Sequence, residues 1–275
     1  MARLRWYRMP VAGLPAAALL VSLAPLAAQE RAPIADNSFL IEEAYNQEPG
    51  VVQHISTFAR ADGGHAWDYS FTQEWPLGGI RHQIGYTIPV AHADGSGTGI
   101  GDVALNYRYQ LLGDEDDLVH AAPRLSLLLP TGSEDRGRGA GSLGMQGNLP
   151  VSWVVGPALA LHGNAGATLT PSGKGSLGSE ATTADFNLGA SAIWRVRRAV
   201  NLLLEAVWYS SETPVGAGNT VRVESAFINP GVRWALDFES GLQIVPGVAY
   251  TIGLGPSDGD DGLFLYLSFE HPFRR

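Results

Sequence analysis

The sequence predicts an all-β chain, a transmembrane antiparallel up-and-down β-barrel of about 12 strands with short periplasmic turns and longer extracellular loops. Three observations predict it. Apolar and polar side chains alternate over successive segments from Val51 onward, the period of a strand with two different faces. The connections between those segments alternate long and short, as outer-membrane barrels require. An aromatic residue recurs near the same end of every second segment, where a membrane interface favours rings.

Residues 1–28 read as a secretory signal peptide. Arg3, Arg5 and Arg8 precede an apolar stretch from Val11 to Leu26, small Ala27 and Ala28 follow, and cleavage is expected between Ala27 and Glu30. Gly13, Pro15 and Pro25 interrupt the stretch, which argues against a retained anchor. The chain has no cysteine, so disulfides, thiolate metal sites and a lipidated N-terminal cysteine are excluded. Its formal charge is −9 and becomes more negative without the three signal arginines, which disfavours nucleic acid as a partner. No glycine-rich phosphate cradle and no cluster of metal ligands stands out, so neither a cofactor nor a metal is expected.

Residues 29–50 form a periplasmic N-terminal segment. In "DNSFLIEEAYNQEPG", Asp36, Asn37 and Ser38 can cap a helix of two or three turns that stops at Pro49 and Gly50. Such a segment has no soluble core to join, and it is expected to act as a plug or gate at the periplasmic mouth; a mobile leader is the alternative.

Residues 51–275 form the barrel. The alternating segments are roughly 51–60, 66–75, 80–89, 100–112, 119–130, 142–155, 158–170, 182–196, 199–210, 221–236, 241–254 and 262–273. Their number is even, as in bacterial outer-membrane barrels. The loops "AHADGSGTG", "TGSEDRGRGAG", "PSGKGSLGSEA", "SETPVGAGNT" and "GPSDGDDG" are long, "PLGG", "GDEDDL", "GP", "RR" and "DFESG" are mostly tighter, and the first outer loop, "ADGGH", is the exception in being short. Downward strands therefore end at the periplasmic interface, where Trp75, Tyr107, Tyr109, Trp153, Trp194, Trp234 and Phe273 would form an aromatic girdle. One strand breaks parity: in "VRVESAFINPGVRWALDF", Val221, Val223 and Phe227 share one face and Val232, Trp234 and Leu236 the other. A bulge near Asn229 to Gly231 would reset the phase, since Pro230 cannot donate to the ladder.

The segments "NSFLIEEAYNQEPGVVQHI", "SFTQEWPL", "HQIGYTIP", "GIGDVALNYRYQLL", "APRLSLLLPTG" and "GSLGMQGNLPVSW" resemble a bacterial family of outer-membrane transporter-like barrels named for the meta-cleavage pathway of phenol degradation. The resemblance is best between residues 38 and 155. It implies a channel for passive passage of small, aromatic or apolar solutes, and it carries no catalytic residues. Phe273 resembles the near-terminal aromatic by which the barrel-assembly machinery recognises its clients. Outer-membrane lipid and lipopolysaccharide are the other partners such a barrel implies.

On the face away from lipid, the candidate lumen residues are Asp68, Glu74, Arg81, Asp102, Arg108, Arg124, Asp185, Arg195, Glu205, Arg222 and Glu224. Both signs interleave, so strong ion selectivity is not expected, and Glu74 and Arg81 across the "PLGG" turn could pair. A salt-bridged, filled interior remains an alternative to an open path. An outer-membrane lipid hydrolase is another, with His54, Ser56 and His162 as the residues that could serve it, although no nucleophile elbow is present. A secreted β-sandwich is the third. "DGDDG" at 258–262 lacks the glutamate of a calcium loop, since position 269 is Phe.

Overall fold

The computed structural model of the chain describes residues 37–114, 117–175 and 178–273. The signal-peptide expectation, the cleavage point and the terminal Arg274 and Arg275 lie outside the described residues. Twelve antiparallel strands form a closed barrel. They are β1 (Val51–Ala61), β2 (Trp67–Pro76), β3 (His82–Ala93), β4 (Gly97–Ile100 continued by Val103–Tyr109), β5 (Val119–Ala121 continued by Arg124–Leu129) and β6 (Gly144–Gly156). There follow β7 (Leu159–Lys174), β8 (Glu180–Arg197), β9 (Val200–Gly216), β10 (Asn219–Trp234 continued by Leu236–Asp237), β11 (Gln243–Gly253) and β12 (Gly262–Pro272). Each strand pairs with its sequence neighbours, and β1 closes on β12 from Val51 opposite Pro272 to Ala61 opposite Gly262. Closure matters because lipid offers no partner to an open strand edge.

The alternation of the last strand shows which way the faces point. Leu263, Leu265 and Leu267 are 40–41% exposed, whereas Phe264, Tyr266 and Ser268 between them are at most 6% exposed. The same inversion holds elsewhere: Asn201, Glu205 and Asn229 are fully buried, while Leu188, Leu204 and Trp194 are more than half exposed. A soluble domain buries its leucines and exposes its carboxylates. This wall does the reverse because its outer face meets lipid. No helix among the described residues is long and apolar enough to cross a membrane.

Three expectations are corrected. No bulge forms at Asn229 to Gly231: the register of β9 against β10 runs unbroken from Val200 opposite Trp234 to Pro214 opposite Thr220. The missing Pro230 donor is absorbed instead on the other side, where the β10–β11 register omits Asn229 and Pro230 but resumes in phase. Val221, Val223 and Phe227 therefore share the inward face with Asn229, and Arg222 and Glu224 are turned outward. Strands of 9–11 residues suffice to span a bilayer, so β8, β9 and β10, with 18, 17 and 16 residues, rise beyond it. There the outward face meets water and can carry charge. This extension also absorbs much of "SETPVGAGNT" into strand, leaving a turn around Ala217 and Gly218.

The second correction concerns residues 37–50, which contain bends and a turn but no helix. The N–H groups of Phe39, Leu40, Ile41, Glu42, Ala44, Asn46 and Gln47 are taken by side chains of the barrel wall, which leaves few donors for the intrahelical bonds of the expected helix. The third concerns Arg81, which lies exposed in the turn after β2, while Glu74 pairs with Arg108 at 3.7 Å.

The inverted polarity makes a direct prediction. Leu265→Arg places a charge on the lipid face and should destabilise the refolded barrel by about 2–4 kcal/mol if it lies near the bilayer midplane. Denaturant unfolding in lipid vesicles measures this, and an unchanged midpoint would contradict the outward assignment of Leu265.

Candidate functional site

The inward face of the barrel is two-sided. From β1 to β7 it carries hydroxyls and amides that bond across strands. Thr57 meets Ser70 at 2.7 Å, Thr72 meets Thr87 at 2.9 Å, and Asn106 donates to Thr87 at 3.2 Å. Arg124 continues the belt, donating to Asn106 Oδ1 at 3.2 Å and to Gln146 Oε1 at 2.8 Å, and Gln146 donates to Thr168 at 3.0 Å. From β8 to β12 the same face adds an apolar cluster, Ile193, Leu203, Val245, Ala249, Phe264 and Tyr266, set among buried Ser191, Glu205, Asn229 and Arg233.

The chain entering β1 follows this inner wall. Asn37 accepts from Arg233 of β10 at 2.5 Å, and the Ser38 hydroxyl donates to Ser191 of β8 at 2.6 Å. Glu205 of β9 then receives three successive backbone N–H groups, from Phe39 at 2.9 Å, Leu40 at 2.8 Å and Ile41 at 3.2 Å. Its other oxygen accepts from Asn229 at 2.8 Å. The carboxylate is tolerated there because four donors replace its water. Asn164 of β7 reads both backbone groups of Glu42, accepting its N–H at 2.7 Å and donating to its carbonyl at 2.8 Å. Ser152 of β6 accepts from Ala44 at 2.8 Å. Gln110, just after β4, accepts from Asn46 at 3.1 Å and donates to the Ala44 carbonyl at 2.8 Å. Gln83 of β3 accepts from Gln47 at 2.7 Å. Arg108 donates to the carbonyls of Glu43 at 3.1 Å and Tyr45 at 2.9 Å. In strand order the segment passes from β10 back to β1. Residues 37–47 can reach at most about 36–40 Å, and they use that reach to run along the wall as a collar.

Side chains lock the collar to both halves. Phe39 packs on Phe264 and Tyr266 with ring centroids 5.6 Å and 5.1 Å away. Its socket is floored by glycine: a Cβ on Gly247 would lie 2.6 Å from the Phe39 ring, and one on Gly231 2.7 Å from it. Ile41 sits over Gly189 in the same manner, with a Cβ there 2.3 Å from its Cδ1. On the polar half, Glu42 pairs with Arg124 at 2.5 Å.

The collar lies between cavities. Above it, one of about 400 Å³ is lined by Phe39, Leu40, Ile55, Phe264 and the hydroxyl belt. An adjoining one of about 320 Å³ is amide-lined by Asn148, Asn164 and Asn187, with Asp185 and Tyr209. On the periplasmic side, about 650 Å³ is lined by Glu43, Tyr45, Asn46, Gln47, Arg195 and Glu270 among others. At the outer mouth, Asp68 lines a cavity of about 420 Å³ together with Gly137 and Arg138 of the loop before β6. Asp102 fastens that loop by accepting from Gly132 at 2.9 Å and Ala140 at 2.7 Å.

The expected residues thus fall into groups. Glu74, Arg108, Arg124 and Glu205 converge on the collar or its partners, Asp68 and Asp102 stand at the outer mouth, and Asp185 accepts from the Glu212 backbone at 2.7 Å. Arg195 faces the periplasmic cavity. Arg222 does not join them: it pairs with Glu212 at 2.9 Å and lies over the outward Phe186 ring at 5.4 Å. Glu224 is exposed on that same face and Arg81 is exposed in its turn. The ring residues lie close to the short turns, with Trp194 opposite Leu159 and Leu202, Trp153 opposite Val119, Trp234 opposite Val200, and Tyr107 and Tyr109 beside His82. Trp75 lies opposite Ile84, and Phe273 donates to the Gly50 carbonyl. Reasoning on charge missed Gln83, Gln110, Ser152, Asn164 and Arg233 and the glycine sockets. The inward parity of the amides was the available signal.

His54, Ser56 and His162 do not converge. The His54 ring stacks on outward Phe269 at 4.4 Å, Ser56 bonds outward Tyr69, and His162 is buried inward against Ser152 at 2.7 Å. Among the described residues no group of three or more His, Asp or Glu could hold a metal ion.

The glycine sockets carry a test that exploits the absence of cysteine. Ser38→Cys is near-isosteric and should react slowly with a thiol reagent in the folded chain. Adding Gly247→Val should displace Phe39 and speed the reaction about tenfold for each 1.4 kcal/mol by which the collar is loosened. Equal rates in the two backgrounds would show that the socket does not hold the collar.

Among solved structures, the COG4313 outer membrane channel from Pseudomonas putida F1 superposes with a TM-score of 0.63 at 13% identity, over 84% of this chain and 98% of that one. The NanC porin gives a TM-score of 0.54 at 9% identity, over 81% of this chain and 100% of the porin. At these identities the likeness shows a shared fold, that of outer-membrane barrels. No curated protein matches the sequence. Residues 38–255 match the family described as "Putative MetA-pathway of phenol degradation", well past residue 155, where the resemblance begins to fade. With the match spanning most of a chain that closes as an outer-membrane barrel, the chain belongs to that family.

Proposed function

We propose that this barrel is a passive outer-membrane channel for small solutes whose bore is set by the collar of residues 37–47. The observation that carries the reading is the side-chain capture of the collar backbone by the inner wall, above all the three N–H groups held by Glu205. Shared barrel architecture with a channel and a porin supports it. Solutes passing the collar meet hydroxyls and amides on one side and Phe39, Ile55 and Phe264 on the other. That lining suits small solutes with an apolar or aromatic body and few charges, because both arginines that line it are engaged, Arg108 with Glu74 and Arg124 with Glu42. Around the barrel, the outward leucines would contact lipid. The rings from Trp75 to Phe273 would sit at headgroup level on the periplasmic side, the long strands β8 to β10 would project among lipopolysaccharide, and Phe273 would serve recognition by the assembly machinery.

The same ion pairs favour a second reading, a filled barrel with no continuous path. Single-channel recording in a planar bilayer separates the two. The full chain should give small discrete steps, and deleting residues 31–49 or introducing Gly247→Val should enlarge them about twofold or more, since current follows the narrowest cross-section. Unchanged steps after deletion would rule out the collar as the constriction. Silence from both forms, each correctly folded, would favour the filled barrel.

A further inference from the structure

The inner wall handles residues 37–47 in the way a receptor handles a peptide. Among the described residues no strand pairing of the barrel involves this segment. What holds it is a set of side chains: Glu205 and Gln83 accept N–H groups, Asn164 and Gln110 each read an N–H and a carbonyl, and Arg108 and Arg233 donate to carbonyls. Backbone contacts of this kind give affinity without regard to sequence, as in strand-addition complexes, while pockets supply the choice of side chains. The pockets here are the glycine-floored socket for Phe39, the Gly189 seat for Ile41 and the Arg124 guanidinium for Glu42. The covalent tether is an exposed turn at Glu48 and Pro49 that leads into β1.

We infer that the inner wall is a peptide-binding site, occupied in cis by residues 37–47 and able to take an extended peptide in trans from the periplasmic side. Its ligand class is an extended peptide with an aromatic residue, an aliphatic residue two positions later and a carboxylate next to that. The periplasmic cavity of about 650 Å³ gives access, since Asn37, Glu43, Tyr45, Asn46 and Gln47 line it. The tether gives the cis segment an effective concentration of about millimolar, so an outside peptide competes well only when it binds tightly or when the tether is cut. The inference rests on the collar reading for its channel consequence, but binding itself can be measured apart from current.

The test keeps the full chain through folding. A protease site built at Glu48–Pro49 is cut after the barrel has refolded in detergent. The freed fragment should remain with the barrel through gel filtration and then exchange with a fluorescein-labelled synthetic peptide of residues 37–48. The same peptide carrying Phe39→Ala and Glu42→Gln should bind at least about tenfold more weakly. Fragment lost at once and no binding of the labelled peptide would overturn the inference. If bilayer steps enlarge at that moment, the collar reading survives it. Labelled peptide that binds, with steps of equal size when the site is filled and when it has been emptied by washing, would leave the peptide site standing and remove the collar reading. A fragment retained for days without exchange, in the native sequence and in Glu205→Ala alike, would also overturn it, because the segment would then be part of the fold and not a ligand.

Discussion

The structure depends on one constraint: in a bilayer every strand must satisfy its backbone inside the protein. Closure of β1 on β12 meets it and leaves no edge. It also fixes the polarity of each position, because the outward half of every strand must suit lipid and the inward half is then free to be polar. Glu205, Asn201 and Asn229 can be fully buried only because the wall turns its leucines outward.

An inward polar face creates a second accounting problem. Amides and carboxylates packed inside a narrow barrel need partners, and cross-strand bonds such as Thr72 to Thr87 supply only some. The segment before β1 supplies others. Each backbone N–H that Glu205 accepts is at once a partner for the carboxylate and a fixing point for the segment, so collar and wall satisfy one another. The glycines work in the same direction. Gly189, Gly231 and Gly247 give up side-chain packing in the wall so that Ile41 and Phe39 can approach the backbone. The fit is thus distributed over many strands, and no single one of them defines the bore.

Much of the barrel was legible because period-two alternation is a local signal. The last strand, the twelve-segment count and the alternation of loops all follow from residues near one another in sequence. The phase of β10 was misread for a physical reason: the lipid rule was applied to Val221 and Val223, which stand on a strand of 16 residues that has already left the bilayer. There, outward Arg222 finds Glu212 and the Phe186 ring in water-accessible surroundings. The collar was half legible. That the segment before Val51 had a task was readable from its apolar and acidic residues, but helix capping at Asn37 and Ser38 pointed to the wrong local structure. Partners more than 100 residues away decide its conformation, as with Phe39 and Glu205, and no local pattern announces them.

The neutral character of the belt follows from where the charges went. Arg108, Arg124 and Arg233 donate to carbonyls of the collar or pair with Glu42, and Glu74 answers Arg108. A charge so engaged contributes little unbalanced field to the bore, and a permeating ion would have to compete with short hydrogen bonds to use it. What remains open to a solute is the surface between these pairs, hydroxyls facing aromatic and aliphatic groups. Discrimination at such a surface rests on size and on the match of one apolar and one polar side. The same two-sidedness seats Phe39 against the apolar cluster and Glu42 against the polar belt, so a solute taken up as proposed would meet the distribution of chemistry that holds the collar.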